Sequence, residues 1–166
     1  MSESKINIEE IKNKFSIYYK KSWCFSVSYT DFSKTEYKLN YNSIIRKNIP
    51  NKNTHGVYLI SDSNLNTILY VGMSGQIKKV ENGHFDNCGY DIRKRLVSSR
   101  GKDKKSGKDI SSADYFQSKM KKSKINSITF TIFQTNKKIS PTYLESIILQ
   151  FIYSETESLP AWNNSF

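Results

Sequence analysis

The stretch that most constrains this chain is a pair of apolar runs, Gly56 to Ser61 and Ile68 to Met73, each of strand length and separated by the turn-rich Asp62-Ser63-Asn64-Leu65-Asn66. Branched and aromatic side chains suit a pleated surface, while Asp, Asn and Ser bond locally to their own backbone, so the pattern predicts a β-hairpin. Farther along, Ile128, Phe130 and Ile132 alternate with Thr129, Thr131 and Phe133. That pattern predicts a third core strand, buried on both faces or nearly so.

Helical periodicity occupies the intervals. From Tyr90 to Arg100, Ile92, Leu96 and Val97 share one face and basic residues the other, and Tyr115, Phe116 and Met120 mark a short helix over Ser112 to Lys122. Ser140-Pro141 supplies an N-cap and a proline at the first helical position, opening a helix through about Tyr153. Between the hairpin and the first of these helices lies a polar segment containing Gly75, Gly83 and Gly89. Upstream, Ile8, Ile11, Phe15 and Tyr18 recur at helical spacing over Asn7 to Lys21, with Asn7 and Glu10 as a cap. Two alternating stretches follow, Phe25-Val27-Tyr29 and Tyr37-Leu39-Tyr41, and predict a second hairpin; Lys47 to Thr54 carries no periodicity and reads as a connector.

The expected fold is α/β of the α+β kind: a small three-stranded antiparallel or mixed central sheet flanked by helices. Residues 1–53 are expected to form an N-terminal helix and β-hairpin extension, and residues 54–166 a main domain with an insertion over 73–90 and a basic stretch over 93–124. With 166 residues the chain has room for a single core.

A formal net charge of +11 implies a polyanionic partner, nucleic acid ahead of an acidic membrane surface. Twelve basic residues against three acidic ones fall between Arg93 and Lys124, so most of that charge sits in one fifth of the chain. Such concentration is the footprint of phosphate contacts, which position a protein on a duplex without reading its sequence; Arg93, Lys94, Arg100, Lys102, Lys104, Lys105 and Lys108 are the candidates. No stretch approaches the length of a membrane span and the start Met1-Ser2-Glu3-Ser4 has no apolar signal segment, so a soluble, cytoplasmic protein without membrane contact is expected. Cys24, Cys88, His55 and His84 lack the paired spacing of a zinc site, and a disulfide is not expected.

Gly56-Val57-Tyr58 and Tyr70-Val71-Gly72 lie on the two strands of the predicted hairpin. They are followed by Ile92-Arg93-Lys94-Arg95-Leu96 and Tyr143-Leu144-Glu145-Ser146 on helices, then by Pro160-Ala161-Trp162-Asn163. In this order the set resembles the GIY-YIG nuclease superfamily over about Thr54 to Phe166. With about fifty residues ahead of this set, the chain is expected to be similar to the small type II restriction endonucleases of that family.

The resemblance implies a catalytic set of Tyr58, Tyr70, Arg95, Glu145 and Asn163, and the chemistry of phosphodiester hydrolysis makes sense of it. Glu145 is placed to anchor one Mg²⁺ (or Mn²⁺) per site, since a single carboxylate suits an ion that keeps much of its water. Arg95, with Arg93 behind it, is placed to clamp the phosphate with a rigid fork. Tyr58 is the candidate base or water-positioning group, which a nearby positive charge would assist, and Tyr70 stands opposite. Asn163, with Asn164 adjacent, steadies the site. Where many members carry lysine and His or Tyr, this chain has Met73 and Ser99; His84, Lys78, Lys79 and His55 are the available substitutes.

The implied activity is Mg²⁺-dependent hydrolysis of double-stranded DNA to 5′-phosphate and 3′-hydroxyl ends. A homodimer, at least on DNA, a cognate methyltransferase, and a part for residues 1–53 in DNA binding or dimerisation belong to that expectation. The alternatives are a non-specific or structure-directed nuclease and a DNA-binding protein that keeps the fold without catalysis.

Overall fold

The computed structural model describes residues 6–165 apart from Ser33, Glu36, Tyr37, Leu65, Asn66, Val80 and Asn82. In chain order it contains α1 (Ile8–Lys14), β1 (Tyr19–Ser28), β2 (Lys34–Thr35), β3 (Lys38–Leu39), α2 (Asn40–Asn48), β4 (Gly56–Asp62), β5 (Ile68–Ser74), β6 (Gln76–Lys79) and β7 (Phe85–Cys88). These are followed by α3 (Ile92–Val97), β8 (Ser99–Lys102), β9 (Asp109–Ser111), α4 (Ser112–Ser123), β10 (Ser127–Thr135) and α5 (Pro141–Thr156). The fold is α+β, as expected.

The central sheet has four antiparallel strands in the order β1-β10-β4-β5, one more than the sequence suggests. The predicted hairpin is β4–β5, with Tyr58 opposite Gly72 and Ile60 opposite Tyr70; Leu65 and Asn66 of its turn lie outside the described residues. The fourth strand is β1, which pairs along its length with β10, Phe25 facing Phe130 and Val27 facing Ile128. Residues 19–28 are thus part of the main sheet instead of an appended hairpin. The first helix is correspondingly shorter than Asn7 to Lys21: it is capped at Asn7, whose Oδ1 accepts from the Glu10 amide at 2.9 Å, and ends before Tyr19 enters the sheet. The second half of the expected hairpin is also different. Tyr37 lies outside the described residues, and Tyr41 sits on α2, fully buried and donating to the Leu96 carbonyl at 3.0 Å. Burial against Phe32 and Phe116 outweighs the local alternation that reads as a strand.

Helices cover both faces. On one side Tyr58, Ile60, Phe130 and Ile132 meet Tyr41 and Ile45 of α2, Ile92 and Leu96 of α3, and Phe116 and Met120 of α4. On the other, Val57, Leu59, Val71 and Phe133 meet Ile11 of α1 and Leu144, Ile148 and Leu149 of α5. Full burial of each such side chain contributes about 1.5–3 kcal/mol, and the all-buried β4 follows from its place between two covered faces.

Two ribbons project from the sequence between the hairpin and α4. The polar insertion folds as β6–β7, and the helix expected to reach Arg100 stops at Val97, after which the basic stretch continues as β8–β9. Among the described residues no helix is long and apolar enough to cross a membrane.

Candidate active site and nucleic-acid surface

The two glycine-tyrosine motifs are joined by geometry. Tyr58 and Tyr70 project on the same face of the hairpin with ring centroids 5.9 Å apart. A Cβ at Gly72 would lie 2.5 Å from the Tyr70 ring and 2.9 Å from the Tyr58 hydroxyl, so only glycine leaves room for both rings. Tyr58 is fully buried and Tyr70 half-buried. Burial pushes the Tyr58 phenol up to about 12 against the opposing pull of Arg100. Full burial and the raised phenol both disfavour the phenolate form that a base at this position needs in this conformation.

Arg100 makes the contact that the sequence does not suggest. Its Nη2 donates to Tyr58 Oη at 3.0 Å and its Nε to Ser112 Oγ at 3.2 Å. The guanidinium carbon lies 4.8 Å from the Phe116 ring centroid, 5.5 Å from that of Tyr115 and 5.8 Å from that of Tyr70. Expected on the open basic surface, Arg100 is instead drawn inward. The irregular pairing between Ser99 and Lys102 interrupts the alternation of β8, with Gly101 at φ +124°, and a bulge of this kind redirects a side chain.

The Ser112 hydroxyl, itself fully buried, lies 2.7 Å from the Ser98 carbonyl and 3.3 Å from that of Arg95, linking Arg100 to the end of α3. Among the described residues no carboxylate forms an ion pair with Arg100. Aromatic faces return about 0.5–2 kcal/mol to a cation, whereas removing an ion from water costs several. The guanidinium therefore has oriented hydroxyl and aromatic neighbours but no counter-ion among the described residues.

Arg95 and Glu145 come from helices on opposite faces that both contact β5, the sheet's edge strand. Burial pushes the half-buried Glu145 carboxyl up to about 7, and the positive charge of Arg95 opposes that rise. Arg95 also acts, more weakly, on Tyr58. No protein donor bonds Glu145 among the described residues, and no group of three or more His, Cys, Asp or Glu is present there. A lone, partly desolvated carboxylate fits one hydrated Mg²⁺, though not a cation that needs an all-protein cage.

Asn163 closes the edge. Its Oδ1 accepts from the Val71 amide at 2.9 Å and its Nδ2 donates to the Val71 carbonyl at 2.8 Å, while the Trp162 amide donates to the Leu69 carbonyl at 2.8 Å. The C-terminal segment thereby clamps the middle residue of Tyr70-Val71-Gly72.

The expected substitutes for the missing helpers are not brought into contact with the tyrosine pair. Met73 packs on the opposite face with the α5 cluster, His55 is buried beneath Gly75, and Lys78, Lys79 and His84 are exposed on or beside the β6–β7 ribbon. A signal for Arg100 did exist: from Ser99 to Lys124 it is the one arginine among eight lysines. Ser112, Tyr115 and Phe116 carried no chemical signal, because their part depends on a helix meeting a ribbon.

Lys102, Lys104, Lys105 and Lys108 are exposed along β8–β9 and its turn. Asp103 organises that turn, its Oδ1 accepting from the Ser106 amide at 2.6 Å and the Lys105 amide at 3.0 Å, and these bonds hold its carboxyl below the usual carboxylate range. Arg93 donates to the Pro50 carbonyl at 3.1 Å, and Lys94 lies over the Tyr90 ring at 4.2 Å. Comparison of the chain with protein-family models, curated proteins and solved structures finds no match.

Proposed function

We propose that the chain is a metal-dependent DNA endonuclease on the GIY-YIG plan, acting as a type II site-specific restriction endonuclease that leaves 5′-phosphate and 3′-hydroxyl ends. One observation carries this reading: Tyr58, Tyr70, Arg95, Glu145 and Asn163, from separate stretches of sequence, converge on the edge strand β5. A hairpin serving only as core requires neither a half-buried carboxyl without a hydrogen-bond donor nor an arginine whose charge reaches it.

In this proposal Glu145 holds one Mg²⁺ or Mn²⁺, which when bound supplies Lewis-acid neutralisation of phosphate charge. Arg95 binds phosphate oxygens. Tyr70, the less buried phenol, orients the attacking water, and Tyr58 supports it from behind. Asn163 keeps the strand carrying Tyr70 in register, and the lysines of the β8–β9 ribbon track the DNA backbone. With one site per chain, cutting both strands calls for a homodimer on a palindromic sequence or two successive events, and a companion methyltransferase would protect the host's own sites.

A second reading, a DNA-binding protein of this fold without catalysis, draws on the complete burial of Tyr58 and on Met73 facing away from the tyrosines. Digestion of a defined plasmid with purified protein and Mg²⁺ separates the possibilities. Discrete fragments are expected; a smear points to a non-specific nuclease, and a mobility shift without cleavage to the second reading.

A further inference from the structure

We propose that Arg100 is a second phosphate-binding residue of the site, so that the scissile phosphodiester is held between Arg95 and Arg100. The identity of the ligand rests on the nuclease reading above; the need for an anion does not. Arg100 is a largely buried cation whose hydrogen-bond partners are hydroxyls and whose neighbours are aromatic rings, none of which neutralises a positive charge. Neutral partners orient the fork but leave its charge for something that arrives from outside.

The orientation is fixed before any ligand comes. The Ser112 hydroxyl accepts from Nε and the Tyr58 hydroxyl from Nη2, which leaves part of the five-donor fork without an acceptor among the described residues. A planar donor pair of this kind suits two oxygens of a phosphate better than a single point of negative charge. The Ser112 hydroxyl also lies near the Arg95 carbonyl, so both arginines are tied to one structural corner.

Position along the chain points to a phosphodiester in a polymer. Arg100 lies at the root of the ribbon whose exposed outer residues are Lys102, Lys104, Lys105 and Lys108. A nucleic-acid backbone following those lysines inward meets the guanidinium at the tyrosine pair. Arg100 thus brings a cation to the tyrosine face of the sheet, where position 73, turned to the other layer, brings none.

The test uses the full chain, a fluorescent duplex cut from a plasmid fragment that the wild type cleaves, and inorganic phosphate as a separate probe. Arg100→Lys and Arg100→Gln should lower single-turnover cleavage by about 10²–10³-fold with DNA affinity changed by less than about threefold, because the ribbon lysines hold the duplex. Ser112→Ala, which keeps the guanidinium but removes its Nε acceptor together with the hydroxyl's bonds to the Ser98 and Arg95 carbonyls, should lose about tenfold in the same step. In ¹⁵N-detected spectra of arginine side chains, titration with phosphate should move the Arg100 Nε resonance, identified by its absence from Arg100→Lys.

If Arg100→Lys folds and cleaves at the wild-type rate, or if phosphate leaves the Arg100 resonance in place, the proposal is overturned while the nuclease reading stands. If the wild type cleaves no DNA yet phosphate moves that resonance, the anion site stands and the nuclease reading fails. Should the Arg100 variants not fold, the Arg100 Nε resonance is assigned by its proximity to the Phe116 ring, and the Ser112→Ala rate and the phosphate titration of the wild type decide the matter in the same directions.

Discussion

Tyr58 and Gly72 face each other across the β4–β5 pair, and the tyrosine hydroxyl lies 2.9 Å from the point a Cβ on Gly72 would occupy. The glycine of Tyr-Val-Gly is therefore the floor on which the tyrosine of Gly-Val-Tyr rests. Gly72→Ala should displace both rings and destabilise the protein by about 1–3 kcal/mol, the usual cost of overpacking. Urea denaturation measures the loss, and a tyrosine fluorescence change in the native baseline would report the displaced rings. An unchanged midpoint would mean that the pair has slack the geometry does not reveal.

Asn163 is expected to matter for structure at the site more than for chemistry. Asn163→Ala leaves the Val71 amide and carbonyl without their partner, a loss of about 1–3 kcal/mol where such groups are shielded from water. Hydrogen exchange should accelerate at Val71 and at Trp162 while β10 keeps its protection. Uniform acceleration across all four strands would show that the clamp supports the whole fold, not one edge.

Glu145 gives the protein a pH dependence of defined sign. Its carboxyl is raised to about 7 in the folded state from an ordinary value of 4.5, so the native state holds the proton more tightly than the unfolded chain does. The favourable contribution is complete below pH 4.5 and is lost as pH rises toward 7. Glu145→Gln should therefore be more stable than wild type at pH 8 by about 1–2 kcal/mol, after allowance for solvent screening on its exposed side, and no more stable at pH 4. Thermal melts at the two pH values check this. Adding Mg²⁺ at pH 8 should stabilise the wild type and not the variant; equal responses would remove Glu145 as the metal's anchor.

The β8–β9 ribbon should carry non-specific affinity. Replacing Lys104, Lys105 and Lys108 together with alanine is expected to reduce the slope of log affinity against log salt by about three, because in the proposed complex each exposed lysine would neutralise one phosphate and release its counterion. Binding isotherms over a salt series measure it. A slope that does not change would assign the ribbon to solvent alone.

Much of the fold was legible because local pattern and tertiary demand agree there. The β4–β5 hairpin, β10, α4 and α5 all appear where periodicity placed them, since each has an apolar face or run long enough to declare its period. Disagreement falls where the local signal was weak or was overruled. Phe25 and Val27 alternate as a strand should, but alternation cannot name the partner, and β1 found β10 more than one hundred residues away. Tyr41 alternated too, yet the core needed it on a helix.

The site divides in the same way. Sequence by itself determined the motif residues and their chain order, because Gly72, Tyr58, Tyr70, Glu145 and Asn163 are defined by residue type and spacing along covalent structure. Only the tertiary structure decided that Tyr58 is shut away from solvent, that Met73 faces the other layer, and that Arg100 leaves the basic surface to bind the Tyr58 hydroxyl. Those outcomes depend on which face of a sheet is covered and on a bulge that redirects one side chain. Both are set by long-range packing, which leaves no periodic mark on the chain.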